Sequence, residues 1–224
     1  MNAGIIKEQE TENRVALLPE TVAVLDKLNV TVMVEKGAGI NAFAPDTAYQ
    51  EAGALIESRD KIFAKSDLLL KVTPPDKEEL SKMKEGQIVI SIMNPFFNKE
   101  MIDLMLKRNI TSFGMDIVPR TTRAQSMDVL SSMATVAGYK AVLDAAGRLP
   151  NFFPMFMTAA GTIRPSKVLI LGAGVAGLQA VATARKLGAV VEVFDVRSAV
   201  KEQVMSLGAK FVEVEGATED AAAG

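Results

Sequence analysis

From the first residue to about Pro119, short apolar runs alternate with amphipathic ones, the pattern of strand and helix units stacked on a parallel sheet. The apolar runs predict strands over residues 4–7, 30–35, 68–72, 88–92 and 111–114. The amphipathic runs predict helices over 19–28, 46–52, 59–64, 77–83 and 99–107. Pro19 suits the first turn of the first helix, where its missing N–H costs nothing, and Pro74 and Pro75 stop the third strand. No internal repeat is visible beyond this alternation.

The pattern changes at Arg120. Residues 120–147 are rich in Ala, Met and Leu and can form one extended helix from about Ser126, with small residues suited to close packing on both sides. A link rich in Pro and Phe follows (LPNFFPMFM), and then residues 167–195 read KVLILGAGVAGLQAVATARKLGAVVEVFD. This is an apolar strand (167–171), a glycine turn, a helix, and a second strand (189–194) ending in an acid; a third strand is expected over 210–214. The expected class is α/β: two Rossmann-like parallel-sheet domains joined by a long helix, the second, dinucleotide-binding domain being incomplete. The expected divisions are an N-terminal α/β domain over 1–119, a bridging helix and linker over 120–160, and the first half of a Rossmann domain over 161–224. A complete doubly wound dinucleotide domain has two βαβαβ halves. Only three strands are expected here, so the chain reads as truncated, clipped in a loop or completed by another polypeptide. The last ten residues, EGATEDAAAG, read as a surface loop.

The glycine turn carries the candidate chemistry. Gly172 lets the chain turn sharply out of the strand, Gly174 leaves room for a pyrophosphate to reach the N–H groups at a helix N-terminus, and Gly177 lets the helix pack closely. Ala173, Val175 and Ala176 complete the loop. Asp195 lies eighteen residues after Gly177, near the spacing of about twenty expected for an acid that accepts from a ribose hydroxyl. A carboxylate there repels a 2′-phosphate and favours NAD(H). Arg197, beyond Val196, opposes that preference, since an arginine near this point accommodates the phosphate. The alternative is a glycine-rich turn that only packs a helix on a sheet. A second string, Gly37, Ala38, Gly39, Ile40, Asn41, Ala42, also follows a strand, but Phe43, Ala44 and Pro45 then make a loop, so it reads as a turn.

With 49% hydrophobic residues among 224, the chain can bury one large core or two small ones. The net charge is −2 and the cations are scattered among acids, which excludes a basic nucleic-acid face. Cysteine is absent, so there is neither a disulfide framework nor thiolate chemistry. The N-terminus lacks the basic and apolar regions of an export signal, and the glycines and Gln179 within the apolar stretch 168–184 argue for a buried strand and helix instead of a membrane span. Histidine is also absent. That removes the commonest general base, the commonest metal ligand and every Ser-His or Cys-His nucleophile.

The stretches RTTRAQSMDVLSSMATVAGYKAVL, GTIRPSKVLILGAGVAGLQAVATARKLGA and DVRSAVKEQVMSLGAKF, with KEQETENRVALLPE near the start, cover nearly the whole chain. Through them it resembles domain I, the NAD(H)-binding component at the start of the α subunit, of the proton-translocating nicotinamide nucleotide transhydrogenases. RAQSMD is the most specific of these stretches and GAGVAG the least. The resemblance implies a two-domain homodimer that passes hydride from NADH to NADP⁺ held by a separate component. It implies partnership with NADP(H)-binding and membrane components, a cytoplasmic position at the inner face of the cell membrane, and no membrane insertion of its own. It places Arg120, Gln125, Asp128 and Ser131 around the nicotinamide and its ribose, with Gln125 nearest the meeting of the two cofactors. Gly172, Ala173, Gly174, Val175, Ala176, Gly177, Asp195, Val196 and Arg197 fall on the ADP side. Metal has no part in this.

The missing histidine fits that implication. Oxidation of a hydroxy or amino acid moves a proton as well as a hydride and needs a positioned base, whereas transfer between two nicotinamide C4 atoms needs only proximity and orientation. Two other readings stand beside it. The chain also resembles the alanine dehydrogenases, whose substrate Arg and Lys correspond to Arg14 and Lys71, but it departs from their histidine, with Ile92, Met93, Asn94, Pro95 and Phe96 at that place. Arg14 and Lys71 are equally readable as structural ion-pair partners. A non-catalytic NAD-binding module is the third reading. For Arg120, Asp128 and Ser131, ordinary capping at a helix start is the structural alternative.

Overall fold

The computed structural model describes residues 1–214 and Gly216, and the chain divides into two compact units, Met1–Asp128 and Val129–Gly224. In the first unit the order is β1 (Asn2–Ile5), α1 (Pro19–Asp26), β2 (Thr31–Glu35), α2 (Asp46–Glu51), β3 (Leu55–Glu57), α3 (Arg59–Lys65), β4 (Leu68–Leu70), α4 (Lys77–Lys82), β5 (Ile88–Ser91), α5 (Lys99–Lys107) and β6 (Thr111–Gly114). The six strands pair in parallel in the order β3-β2-β1-β4-β5-β6, so the winding reverses between β1 and β4. The register sets Ile5 beside Val34 on one side and Leu70 on the other.

Successive side chains of a strand point to opposite faces, and here both faces are covered. Val32 and Val34 pack with Ile5, Val22 and Tyr49, while Met33 between them packs with Ile6, Ile62, Phe63 and Leu69. That is why TVMVE reads as an unbroken apolar run instead of alternating. Tyr49 is fully buried and donates to the Leu17 carbonyl at 2.6 Å, and burial pushes its hydroxyl pKa up to about 12. α4 starts on a capping box in which Asp76 accepts from the Glu79 N–H and Glu79 accepts from the Asp76 N–H.

The predicted elements of this unit are present, with ends shifted by one to three residues. Strand β3 is an addition to them: LIE offers two apolar residues only, and the strand is held as an edge by pairing with β2 alone. The Gly37 string is a turn containing a 3-10 helix, Ile40–Ala42. A Cβ on Gly39 would run into the Ala44 carbonyl oxygen and the Tyr49 ring, so this glycine serves packing.

The second unit runs α6 (Val129–Arg148), β7 (Phe156–Thr158), β8 (Gly161–Ile163), β9 (Lys167–Leu171), α7 (Val175–Lys186), β10 (Val190–Phe194), α8 (Lys201–Ser206) and β11 (Lys210–Phe211). Its parallel sheet has the order β11-β10-β9. Val181, Ala184, Val191, Val193 and Val204 form its core, with Val142 of α6. Three expectations change. The long helix begins at Val129, because Thr122–Met127 winds as a 3-10 helix instead of the first turn of α6. The Pro and Phe-rich link ends in an antiparallel hairpin, β7 with β8, that hydropathy does not separate from a loop. The third strand stops at Phe211, after which Val212 makes one more bond to Val193. The C-terminal surface loop expected from EGATEDAAAG lies outside the described residues, apart from Gly216.

Candidate dinucleotide site

β9 and β10 run parallel with Lys167 opposite Val190 and Leu171 opposite Phe194, so both release their chains at the same edge of the sheet. Gly172 leaves β9 at φ +94°, a conformation that L side chains rarely adopt, and its N–H donates to the Phe194 carbonyl at 2.8 Å. α7 starts after Gly174 with no side-chain cap, so its first N–H groups face outward. A Cβ on Gly174 would meet nothing within 4 Å, whereas one on Gly177 would strike the Gly172 carbonyl. The two glycines therefore do different work: one leaves space above the loop and the other closes helix onto strand. This is a cradle that fits a pyrophosphate, with the positive end of a twelve-residue helix aimed at it.

A further close approach fixes that helix. Gly138, in the middle of α6, lies against the backbone of Ala176, and a Cβ there would overlap the Ala176 carbonyl. Its signal is present in the sequence, since a glycine inside a helical run is unfavourable by about 1 kcal/mol against alanine and calls for a packing reason.

Asp195 sits just past β10, 6% exposed. Its Oδ2 accepts from the Ala173 N–H at 2.6 Å and from Arg197 Nη2 at 3.0 Å, while Oδ1 accepts from the Arg197 N–H at 2.8 Å and from Arg197 Nε at 3.0 Å. The Arg197 guanidinium, with the two backbone donors, holds the carboxyl far below the ordinary carboxylate range against the opposing effect of burial. Arg197 is raised in turn by the same carboxylate. The acid thus ties the glycine turn to the end of β10 as well as carrying charge. Val196 beside it is half-exposed.

The other predicted residues fall on either side of the division between units. Arg120 and Gln125 are exposed, Gln125 in the 3-10 helix whose end is marked by its carbonyl accepting from the Asp128 N–H at 3.2 Å. Asp128 is partly buried and closes the first unit, and Ser131 is partly buried in the first turn of α6. Among the described residues no group of three or more carboxylates is arranged to hold a metal ion, and no helix is long and apolar enough to cross a membrane.

Comparison with known proteins decides the lineage. Residues 4–137 match the alanine dehydrogenase/PNT N-terminal domain and residues 141–223 the alanine dehydrogenase/PNT C-terminal domain. The chain belongs to the alanine dehydrogenase/PNT family. Within that family it is 46% identical over 222 residues to the first of the polypeptides that make up NAD(P) transhydrogenase subunit alpha in Rhodospirillum rubrum, covering 96% of this chain and 58% of the relative. A solved transhydrogenase structure from Sinorhizobium meliloti superposes with a TM-score of 0.93 at 50% identity, over 96% of this chain and 62% of that one. Alanine dehydrogenase of Mycolicibacterium smegmatis is more distant, 31% identical over 200 residues, covering 87% of this chain and 53% of the relative. The chain therefore spans about three fifths of the length of these two transhydrogenase relatives.

The alanine dehydrogenase half of the family name puts weight on Arg14 and Lys71. Arg14 Nε and Nη2 grip both oxygens of Glu12 at 2.8 and 2.7 Å, which lowers the Glu12 pKa. Lys71, at the end of β4, is buried with its Nζ 2.6 Å from each oxygen of Glu79. Both cations are committed to carboxylates of their own unit. Where a histidine would follow the next strand, Met93 is buried instead, and its N–H and that of Asn94 donate to Asp116 at 2.8 and 2.7 Å.

Proposed function

We propose that this chain is the NAD(H)-holding component of a transhydrogenase, delivering hydride from NADH to NADP⁺ carried by a partner component, with proton translocation performed by a separate membrane domain. The observation that carries the reading is the turn at residues 172–177, where an open Gly174 meets the uncapped start of α7. In this reading the N–H groups of Gly174, Val175 and Ala176 bind the pyrophosphate, Gly172, Ala173 and Gly177 shape the loop, and Asp195, Val196 and Arg197 border the adenosine ribose. Arg120, Gln125, Asp128 and Ser131 orient the nicotinamide and its ribose, Gln125 nearest the second cofactor. Bound NADH supplies the hydride at its nicotinamide C4. No side chain has to move a proton at the reacting carbons, in keeping with a chain that has no histidine and keeps Arg14 and Lys71 paired. The protein works as a homodimer, peripheral to the inner face of the cell membrane through its partner.

The test is to mix the chain with an NADP⁺-loaded partner component and follow NADH oxidation together with NADPH formation. Exchange between the nucleotides is expected. Ammonia-dependent reduction of pyruvate without such exchange overturns the reading in favour of an amino-acid dehydrogenase. NADH is expected to raise the melting temperature more than NADPH, and equal shifts would remove the role given to Asp195.

A further inference from the structure

A carboxylate offers about four acceptor positions on its two oxygens. At Asp195 four donors fill them: the N–H groups of Ala173 and Arg197, and Nε and Nη2 of the Arg197 side chain. The two backbone donors belong to the turn and the strand end and cannot leave without unmaking them. The guanidinium can leave, because it hangs from a side chain 42% exposed and only two residues from its partner. A ribose seated at the end of β10 presents hydroxyls that need acceptors at this carboxylate, and none is free while Arg197 stays.

We infer that Arg197 is a gate on the adenosine-ribose seat: its guanidinium occupies the two Asp195 acceptor positions that a ribose diol requires, and a dinucleotide binds by displacing it. The inference rests on the NAD(H) reading above. It assigns Arg197 a specificity role with two opposite consequences. Against NADH the guanidinium is a competitor, so its removal strengthens binding. Against NADPH the displaced guanidinium remains within reach of the 2′-oxygen, where it makes a charge-assisted pair with a phosphate. Asp195 thus sets the preference for NADH, and Arg197 narrows it.

Titration of the whole chain and of Arg197→Ala and Arg197→Lys with NADH, NADPH, ADP and 2′,3′-dideoxy-ADP tests this. In Arg197→Ala, NADH and ADP tighten by about three- to fivefold, the range that release of an exposed ion pair spans. NADPH weakens by roughly tenfold, and the advantage of ADP over its dideoxy analogue grows because hydroxyls no longer compete for acceptors. Arg197→Lys keeps the charge without the fork, and retains more of the NADPH affinity than the alanine variant. Equal weakening of NADH and NADPH, or an unchanged ratio of ADP to its dideoxy analogue, overturns the gate while leaving the NAD(H) reading standing. A wild-type chain that binds neither NADH nor ADP removes the reading and the gate together.

Discussion

Both units end their parallel strands in a cluster of functional groups, yet the two ends are built on opposite plans. At the winding reversal of the first sheet, between β1 and β4, lie Glu8, Lys71 and Glu79, each under a tenth exposed. Lys71 bonds both oxygens of Glu79, Arg59 joins Glu79 to Glu35, and Glu8 accepts from the N–H groups of Val72 and Thr73. The crevice at such a reversal is where open α/β sheets bind ligands, but here charge is matched to charge and the polar atoms are used up. The second sheet has no such plug. It ends in a glycine that leaves space, a helix with no side-chain cap, and one acid whose second pair of donors hangs on a movable arginine. The difference between a structural knot and a binding site, on one architecture, lies in how many polar groups are left for something else.

The comparison breaks first at Lys71. Replacing it by alanine leaves Glu79 buried beside Glu8 with its cation gone, and should cost about 3–5 kcal/mol of stability in urea unfolding. The double change Lys71→Met with Glu79→Leu removes both charges and should recover most of that loss. ADP affinity should not change in either, since the ADP side lies wholly in the second unit. A parallel fall in ADP affinity would mean that the first strand end is part of the binding machinery after all.

The two glycines of the turn sharpen the other side. Gly177→Ala drives a methyl into the Gly172 carbonyl, backbone against backbone, and should cost about 1–3 kcal/mol of stability. Gly174→Ala adds its methyl to open space, so stability should move by less than about 0.5 kcal/mol. ADP affinity should nevertheless fall by roughly tenfold, because the methyl stands where the phosphate comes close. Calorimetric titration beside thermal melting separates the two effects. A Gly174→Ala chain that binds ADP like wild type would show that nothing approaches the loop there.

Much of the second site is readable from the chain because its elements are close in sequence. Strand, turn, helix, strand and acid follow one another within residues 167–195, and each glycine's duty follows from the turn it must make. The charged knot is not readable in the same way. Glu8 meets Thr73 across a separation of 65 residues and Arg59 meets Glu35 across 24, so only the folded sheet brings them together. Lys71 stands out in the sequence, but whether it faces a substrate or a carboxylate depends on where α4 puts Glu79. The same holds in miniature for Arg197. Its position two residues after Asp195 is plain in the sequence, but the direction of its side chain is set by the turn that aims its own N–H at Oδ1. Elements with little pattern are lost for a different reason: β3 is three residues long, and the β7–β8 hairpin buries none of its residues, so neither imposes an alternation.

The smallest expected effect tests the charge state that the gate depends on. Asp195 has its folded pKa depressed below the ordinary value of 3.8, first by Arg197 and then by the two backbone N–H groups. A depressed carboxyl binds its proton less readily in the folded chain than in the unfolded one, so between the two values stability rises with pH. The contribution is therefore complete above about pH 5 and is lost progressively as the pH falls below the unfolded value towards the folded one. Comparison with Asp195→Asn isolates this group, since every other carboxylate titrates alike in both chains. The gap between their urea midpoints should be constant from pH 7 to pH 5 and should narrow between about pH 4 and pH 2.5. A gap that closes above pH 5 would mean a raised pKa, an acid that burial has neutralised and that neither holds Arg197 nor repels a 2′-phosphate. A gap that never narrows would mean that the carboxylate charge contributes nothing to holding the glycine turn, and that the packing of the side chain alone does so.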